Sequence, residues 1–204
     1  MDYDYDVFIS YRRRDKWPFW VEEHLVPLLK RYLNEELDWD VGIFFDRDLE
    51  KTNVSWPNAL AKRLAHSAIL IPLWSKSYFR SPWSGAEFAH MRYRKRECGF
   101  RTSENEIGLI SPAIVHNGTE NLPEDARMIE AVMLQEYALA NLQPNTNDAL
   151  ELEKLIRDWA PQIALAVESA PPRKDSWEKP LAEEFVATFY RHSRRQRRPS
   201  WSGK

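Results

Sequence analysis

Asp6-Val7-Phe8-Ile9-Ser10-Tyr11 is the stretch on which the fold turns. Val7, Phe8 and Ile9 are consecutive apolar residues with no polar residue alternating between them. Successive strand side chains point to opposite faces, so a strand of this composition is covered on both sides. The same continuous pattern recurs at Val41–Asp46, through Ile43, Phe44 and Phe45, and at Ala68–Leu73. A fourth strand is expected around Leu109–Val115 and a weaker fifth near Val132–Tyr137.

Helical patterns separate these runs. Trp17, Trp20, Val21, His24, Leu25, Leu28, Leu29 and Tyr32 share one face at helical spacing, with Pro18 suited to the first turn. Pro27 predicts a kink or break inside that helix. A short helix is expected at Pro57–His66, a mostly helical segment at Ser75–Glu97, and closing helices at Asn147–Val167 and Trp177–His192. Pro161 is expected to interrupt the first of these closing helices.

Strands buried on both faces and separated by helices define an α/β class: a parallel sheet with helices on both faces. Five strands suit the flavodoxin-like doubly wound order 2-1-3-4-5, with extra C-terminal helices. In that order the ligand crevice opens beyond the strand C-termini, between strands one and three. The loop after Tyr11 and the segment after Leu73 should therefore face each other.

A chain of 204 residues suits a single α/β domain, and its net charge of −2 argues against a nucleic-acid protein with a basic surface. The single cysteine, Cys98, excludes an internal disulfide framework and fits a reducing compartment. Met1-Asp2-Tyr3-Asp4 lacks the basic and apolar regions of a secretory signal, and no apolar run approaches the ~20 residues that span a bilayer. The expectation is a cytoplasmic protein with no membrane partner. We expect residues 1–170 to form the domain, 171–192 a helical extension packed on it, and 193–204 a basic flexible tail. The tail carries Arg194, Arg195, Arg197 and Arg198 without an acid, the composition of a solvated linker. An acidic partner or nucleic acid is the alternative reading of that block, and a chain continuing beyond it is compatible with a longer protein.

Two places at the crevice could carry chemistry. Tyr11, Arg12, Arg13, Arg14 and Asp15 follow the first strand, and clustered arginines suit a diphosphate, although a solvated loop of paired charges has the same composition. In Ser81-Pro82-Trp83-Ser84-Gly85-Ala86-Glu87, Ser81 reads as an N-cap and Pro82 as the first helical residue. Trp83 and Glu87, four apart, then project from one helical face. An aromatic beside a carboxylate suits a planar cationic heterocycle next to a sugar; a core tryptophan and a solvated glutamate are the plainer alternative. Asp46 and Asp48, after the second strand, suit a ribose hydroxyl or a local cap. His24 falls on the apolar stripe and reads as packed, while His66, His90, His116 and His192 lack metal-ligand spacing. Phosphate-cradling glycine motifs are absent, and Asn117-Gly118-Thr119 is a glycosylation sequon only outside the cytoplasm.

These residues together resemble a family. Asp6-Val7-Phe8-Ile9-Ser10-Tyr11-Arg12-Arg13 is similar to the opening strand and loop of Toll/interleukin-1 receptor (TIR) domains. Ile43-Phe44-Phe45-Asp46 resembles their second strand and the start of their BB loop. Ala68 to Ser75, Ser77-Tyr78, Ser81, Trp83 and Glu87 resemble the third strand and αC segment. The resemblance runs from residue 4 to about 92, weakens to about 140 and stops there.

In NAD+-cleaving members a glutamate in αC is essential and a tryptophan precedes it by four, which matches Glu87 and Trp83. The resemblance therefore implies an NAD+ nucleosidase releasing nicotinamide and ADP-ribose or a cyclic isomer, in a signalling or defence response. It implies Glu87 as the catalytic carboxylate, with Ser10, Tyr11, Arg12, Arg13, Asp46, Trp56 and Trp83 binding substrate, NAD+ as substrate and no resident cofactor or metal. Two departures stand out: Ser84 occupies the position where a cysteine commonly follows the tryptophan, and the BB-loop glycine is missing, with Asn53 nearest. The family also implies self-association through the loop after strand two and the αC region, and a sensor or effector protein as partner. A non-catalytic interaction or adaptor module and a nucleoside deoxyribosyltransferase-like enzyme are the competing readings.

Overall fold

The computed structural model describes residues 3–12, 17–45, 56–99, 108–120, 122–139 and 141–181, with 183, 184 and 187. Five strands, β1 (Tyr5–Ser10), β2 (Ile43–Phe45), β3 (Ser67–Ser75), β4 (Ala113–His116) and β5 (Val132–Met133), form one sheet in the order β2-β1-β3-β4-β5. Every neighbouring pair is parallel. Val7 lies opposite Ile43 on one side and Ile69 on the other, so the apolar run of β1 sits inside the sheet and not at an edge. All nine residues of β3 are buried, and alternate residues face opposite ways, so both faces of the sheet are covered. The doubly wound order expected from the sequence is the order found.

Helices α1 (Trp17–Trp20), α2 (Val26–Leu37), α3 (Trp56–Ala65), α4 (Pro82–Glu97), α5 (Glu124–Arg127) and α6 (Asn147–Glu168) alternate with the strands. Helix α2 packs on α6, α6 and α4 reach β3, and α3 reaches β1. Leu25, Leu29 and Leu33 are wholly buried, each contributing about 2 kcal/mol relative to exposure. Asp38 closes α2 in a left-handed conformation, with φ 52°.

Pro27 does not break the first helix. A π-helical turn, Val21–Leu25, joins α1 to α2, and the Val26 amide donates to the Val21 carbonyl. The wider turn accommodates a proline that has no amide proton of its own. Pro161 does not interrupt α6 either, contrary to the sequence expectation, because α6 runs through it. Pro161 and Arg157, whose carbonyl loses its helical donor, are both exposed, on the face of α6 where solvent can serve that carbonyl.

The expected fourth and fifth strands are shorter than their apolar runs. Pairing with β3 begins where the Leu70 amide donates to the Leu109 carbonyl and the Ser111 amide donates to Leu70. Pro112, which has no amide proton, separates that pairing from β4. β5 ends after Met133 because the Tyr137 and Ala138 amides turn back to the Leu134 carbonyl.

Chain beyond α6 returns to the start of the sheet. Tyr3 donates its hydroxyl to the Pro171 carbonyl at 2.6 Å, and His66 lies between Asp4 and Glu178 at 2.9 and 3.1 Å. Trp177, buried, donates its indole N–H to Glu97 at 2.6 Å. Among the described residues no helix is long and apolar enough to cross a membrane.

Candidate functional site

Parallel strands place all their C-termini at one edge, so Ser10 at the end of β1 and Ser75 at the end of β3 share that edge. The two strands are neighbours, and the chain winds outward from them in opposite directions, to β2 and to β4. This is the topological switch point at which doubly wound sheets bind ligands.

Glu87 arrives there from α4. Ser81 caps that helix, its hydroxyl accepting from the Ser84 amide at 3.4 Å, and Pro82 occupies the first turn. The buried face of α4 carries Ser84, Glu87, Phe88, Met91 and Arg94, a repeat of three or four residues that includes two ionisable side chains. Glu87 is 6% exposed, and its Oε2 accepts a hydrogen bond from the Ser10 hydroxyl. Ser10 Oγ also lies 2.7 Å from the Tyr78 hydroxyl. Burial, then the negative charge of Glu87, holds the Tyr78 phenol well above its ordinary range.

These contacts join the end of β1 to the segment after β3; of the loop beyond Tyr11 that was expected to face it, residues 13–16 lie outside the described residues. Arg12, after β1, adds to these contacts by donating from Nη1 to the Ser77 carbonyl at 3.1 Å, which ties its guanidinium to the turn after β3. Tyr11 is buried in the core cluster, and Trp83 is half-buried against the same cluster. Trp83 therefore offers only part of its ring as a platform. Trp56 is the first residue of α3, and its side chain, with Arg13 and Asp46, lies outside the described residues.

Tyr78 is the residue for which sequence reasoning assigned no role. It begins a 3-10 turn, Tyr78–Arg80, between β3 and α4. The sequence cues are the place of Ser77-Tyr78 in the family resemblance and the aromatic pair Tyr78-Phe79 inside the otherwise polar stretch Ser75–Ser81. Two residues elsewhere on α4 are structural. Arg94, with no exposed surface, donates to the Ser67 carbonyl at 2.8 Å and the Tyr3 hydroxyl at 2.7 Å, and its guanidinium lies 4.2 Å from the Trp177 ring centre. His90 borders a hollow of about 270 Å³ with Tyr93, Trp177 and Leu181. Burial, then the positive charge of Arg94, lowers the His90 pKa to about 3. Cys98 is half-buried, and burial raises its thiol pKa, the opposite of what an activated nucleophile requires.

The fold and its edge define a flavodoxin-like α/β domain with a buried glutamate at the switch point. A TIR domain family model matches residues 7–156, and the chain belongs to that family. Among solved structures, the TIR domains of the activated Roq1 resistosome directly recognizing the pathogen effector XopQ are 18% identical, over 91% of this chain and 99% of that chain, with a TM-score of 0.37. No curated protein sequence matches the chain.

Proposed function

We propose that this TIR domain cleaves NAD+ at the nicotinamide–ribose bond, with Glu87 as the catalytic carboxylate. The observation that supports this reading most is the placement of Glu87. It lies at the edge where the neighbouring strands β1 and β3 end, and a residue of β1 itself holds it.

The chemistry needs only one carboxylate. Ordinary glycosidases use two because a sugar alkoxide needs a proton to leave. In NAD+ the bond between C1′ and the pyridinium nitrogen breaks with its electron pair passing to nitrogen, so nicotinamide departs neutral and unprotonated. Positive charge then spreads over C1′ and the ribose ring oxygen. A fixed anion beside the ribose hydroxyls stabilises that charge, and in a site drier than water its removal costs on the order of a hundred-fold in rate or more. Addition of water at C1′, with loss of its proton, gives ADP-ribose; attack by an adenine nitrogen gives a cyclic isomer. Arg12 and Arg13 are assigned the diphosphate, Trp83 and Trp56 the aromatic rings, and Asp46 a ribose hydroxyl.

Glu87 is almost wholly covered in the single chain, so a ribose must displace groups at the mouth of the crevice to reach it. We assign that opening to self-association, in which the loop after β2 of one copy meets α4 of the next. The isolated chain should then be weakly active, and activity should rise faster than protein concentration. Incubation with NAD+ at increasing protein concentration, with the products separated and identified, tests this. Nicotinamide with ADP-ribose or its cyclic isomer supports the proposal. No release at any concentration would point to an interaction module, and base transfer between nucleosides without NAD+ cleavage to a transferase.

A further inference from the structure

The hydrogen bonds around Glu87 have an assignable direction. Ser10 has one hydroxyl proton, and that proton goes to Glu87 Oε2. The 2.7 Å contact between Ser10 Oγ and the Tyr78 hydroxyl must then be donated by Tyr78. Tyr78 suits the task, since burial and the neighbouring carboxylate both oppose loss of its proton. Its position is fixed as well. The ring is wholly buried and meets Phe79 edge-on at 4.9 Å, its carbonyl accepts from the Ser81 amide, and the preceding carbonyl accepts from Arg12. Tyr78 and the residue before it are thus fastened to the last residue of β1 and to Arg12 just beyond it.

We propose that Tyr78 is the positioning residue for Glu87, its hydroxyl holding Ser10 so that the serine proton stays aimed at the carboxylate. Without the phenol, the Ser10 oxygen loses a donor, its hydroxyl is less polarised, and it donates more weakly to the carboxylate. Buried beneath Ser10, Tyr78 supports catalysis through Glu87 and not through the substrate. The kinetic consequence rests on the NAD+-cleavage reading; the structural one does not.

Tyr78→Phe, Ser10→Ala and the double variant separate the possibilities. For nicotinamide release, Tyr78→Phe should lower kcat about tenfold, the effect of losing one hydrogen bond in a chain that ends on a charge, with KM unchanged. In the Ser10→Ala background the same substitution should have no further effect. In carboxyl-labelled protein, Glu87 should titrate at higher pH in Tyr78→Phe than in wild type, with the urea midpoint little changed. Effects that multiply in the double variant, or an unmoved Glu87 titration, would overturn the proposal. Should Tyr78→Phe fail to fold, wild-type protein still decides: a slowly exchanging Tyr78 hydroxyl proton close to the Ser10 methylene is required, and its absence overturns the assignment. A wild type that releases no nicotinamide counts against the NAD+ reading alone, because the titration and the hydroxyl resonance still decide the role of Tyr78.

Discussion

Ser10 and Glu87 are separated by 77 positions in the chain and joined by one hydrogen bond, the serine hydroxyl donating to the carboxylate. The bond links the last residue of β1, an interior strand, to the second turn of the helix after the neighbouring strand β3. It makes the crevice a product of the topology: any change that slides β1 against β3 moves donor and acceptor apart.

Arg94 is predicted to be a principal fastener between the sheet and the C-terminal segment. Its guanidinium serves the carbonyls of Ser67 and Ala68, the Tyr3 hydroxyl and the Trp177 ring. Replacing it with methionine keeps much of the volume but leaves those acceptors buried without a donor. The Arg94→Met variant should lose about 2–4 kcal/mol of stability in urea denaturation. An unchanged midpoint would show that the segment is held by other contacts.

His90 should make the protein acid-sensitive. Its pKa is about 3 in the folded chain against an ordinary 6.5, so between those values the unfolded state binds more protons. The neutral imidazole costs nothing above pH 6.5, and stability is lost progressively as pH falls from 6.5 toward 3. From pH 7 to pH 5 the loss assigned to His90 is about 2 kcal/mol. Urea midpoints at the two pH values should differ less in His90→Gln than in wild type. Equal differences would place the acid sensitivity elsewhere.

Gly118, just beyond β4, is required for close approach. A β-carbon there would overlap the Trp74 carbonyl at the end of β3, with Ile114 also near. Gly118→Ala should therefore destabilise by about 1–3 kcal/mol through forced backbone shifts. A melting temperature equal to wild type would mean that the turn relaxes freely.

The apolar runs at Val7–Ile9, Ile43–Phe45 and Ala68–Leu73 made the sheet legible, because a strand buried on both faces leaves no room for alternation. Strand order followed from the class of fold, and the crevice from strand order. The α4 face was harder to read. Glu87 and Arg94 lie on its buried stripe, and an apolar count cannot identify a buried face whose key members are charged. Tyr78 and Gly118 were illegible for a related reason, since their roles depend on partners far along the chain: Ser10 for one, the Trp74 carbonyl for the other. The two prolines were legible in part: Pro27 follows an irregular turn and not a break, and Pro161 interrupts nothing. Pro27 and Pro161 each remove one helical hydrogen bond, but a π turn in one case and solvent in the other make the loss tolerable.

The most direct test compares nicotinamide release from NAD+ by wild type and Glu87→Ala at the same high protein concentration, with matching urea curves as the control for folding. The account predicts release by wild type and a loss on the order of a hundred-fold or more in the variant. Equal release by a folded Glu87→Ala protein would contradict it.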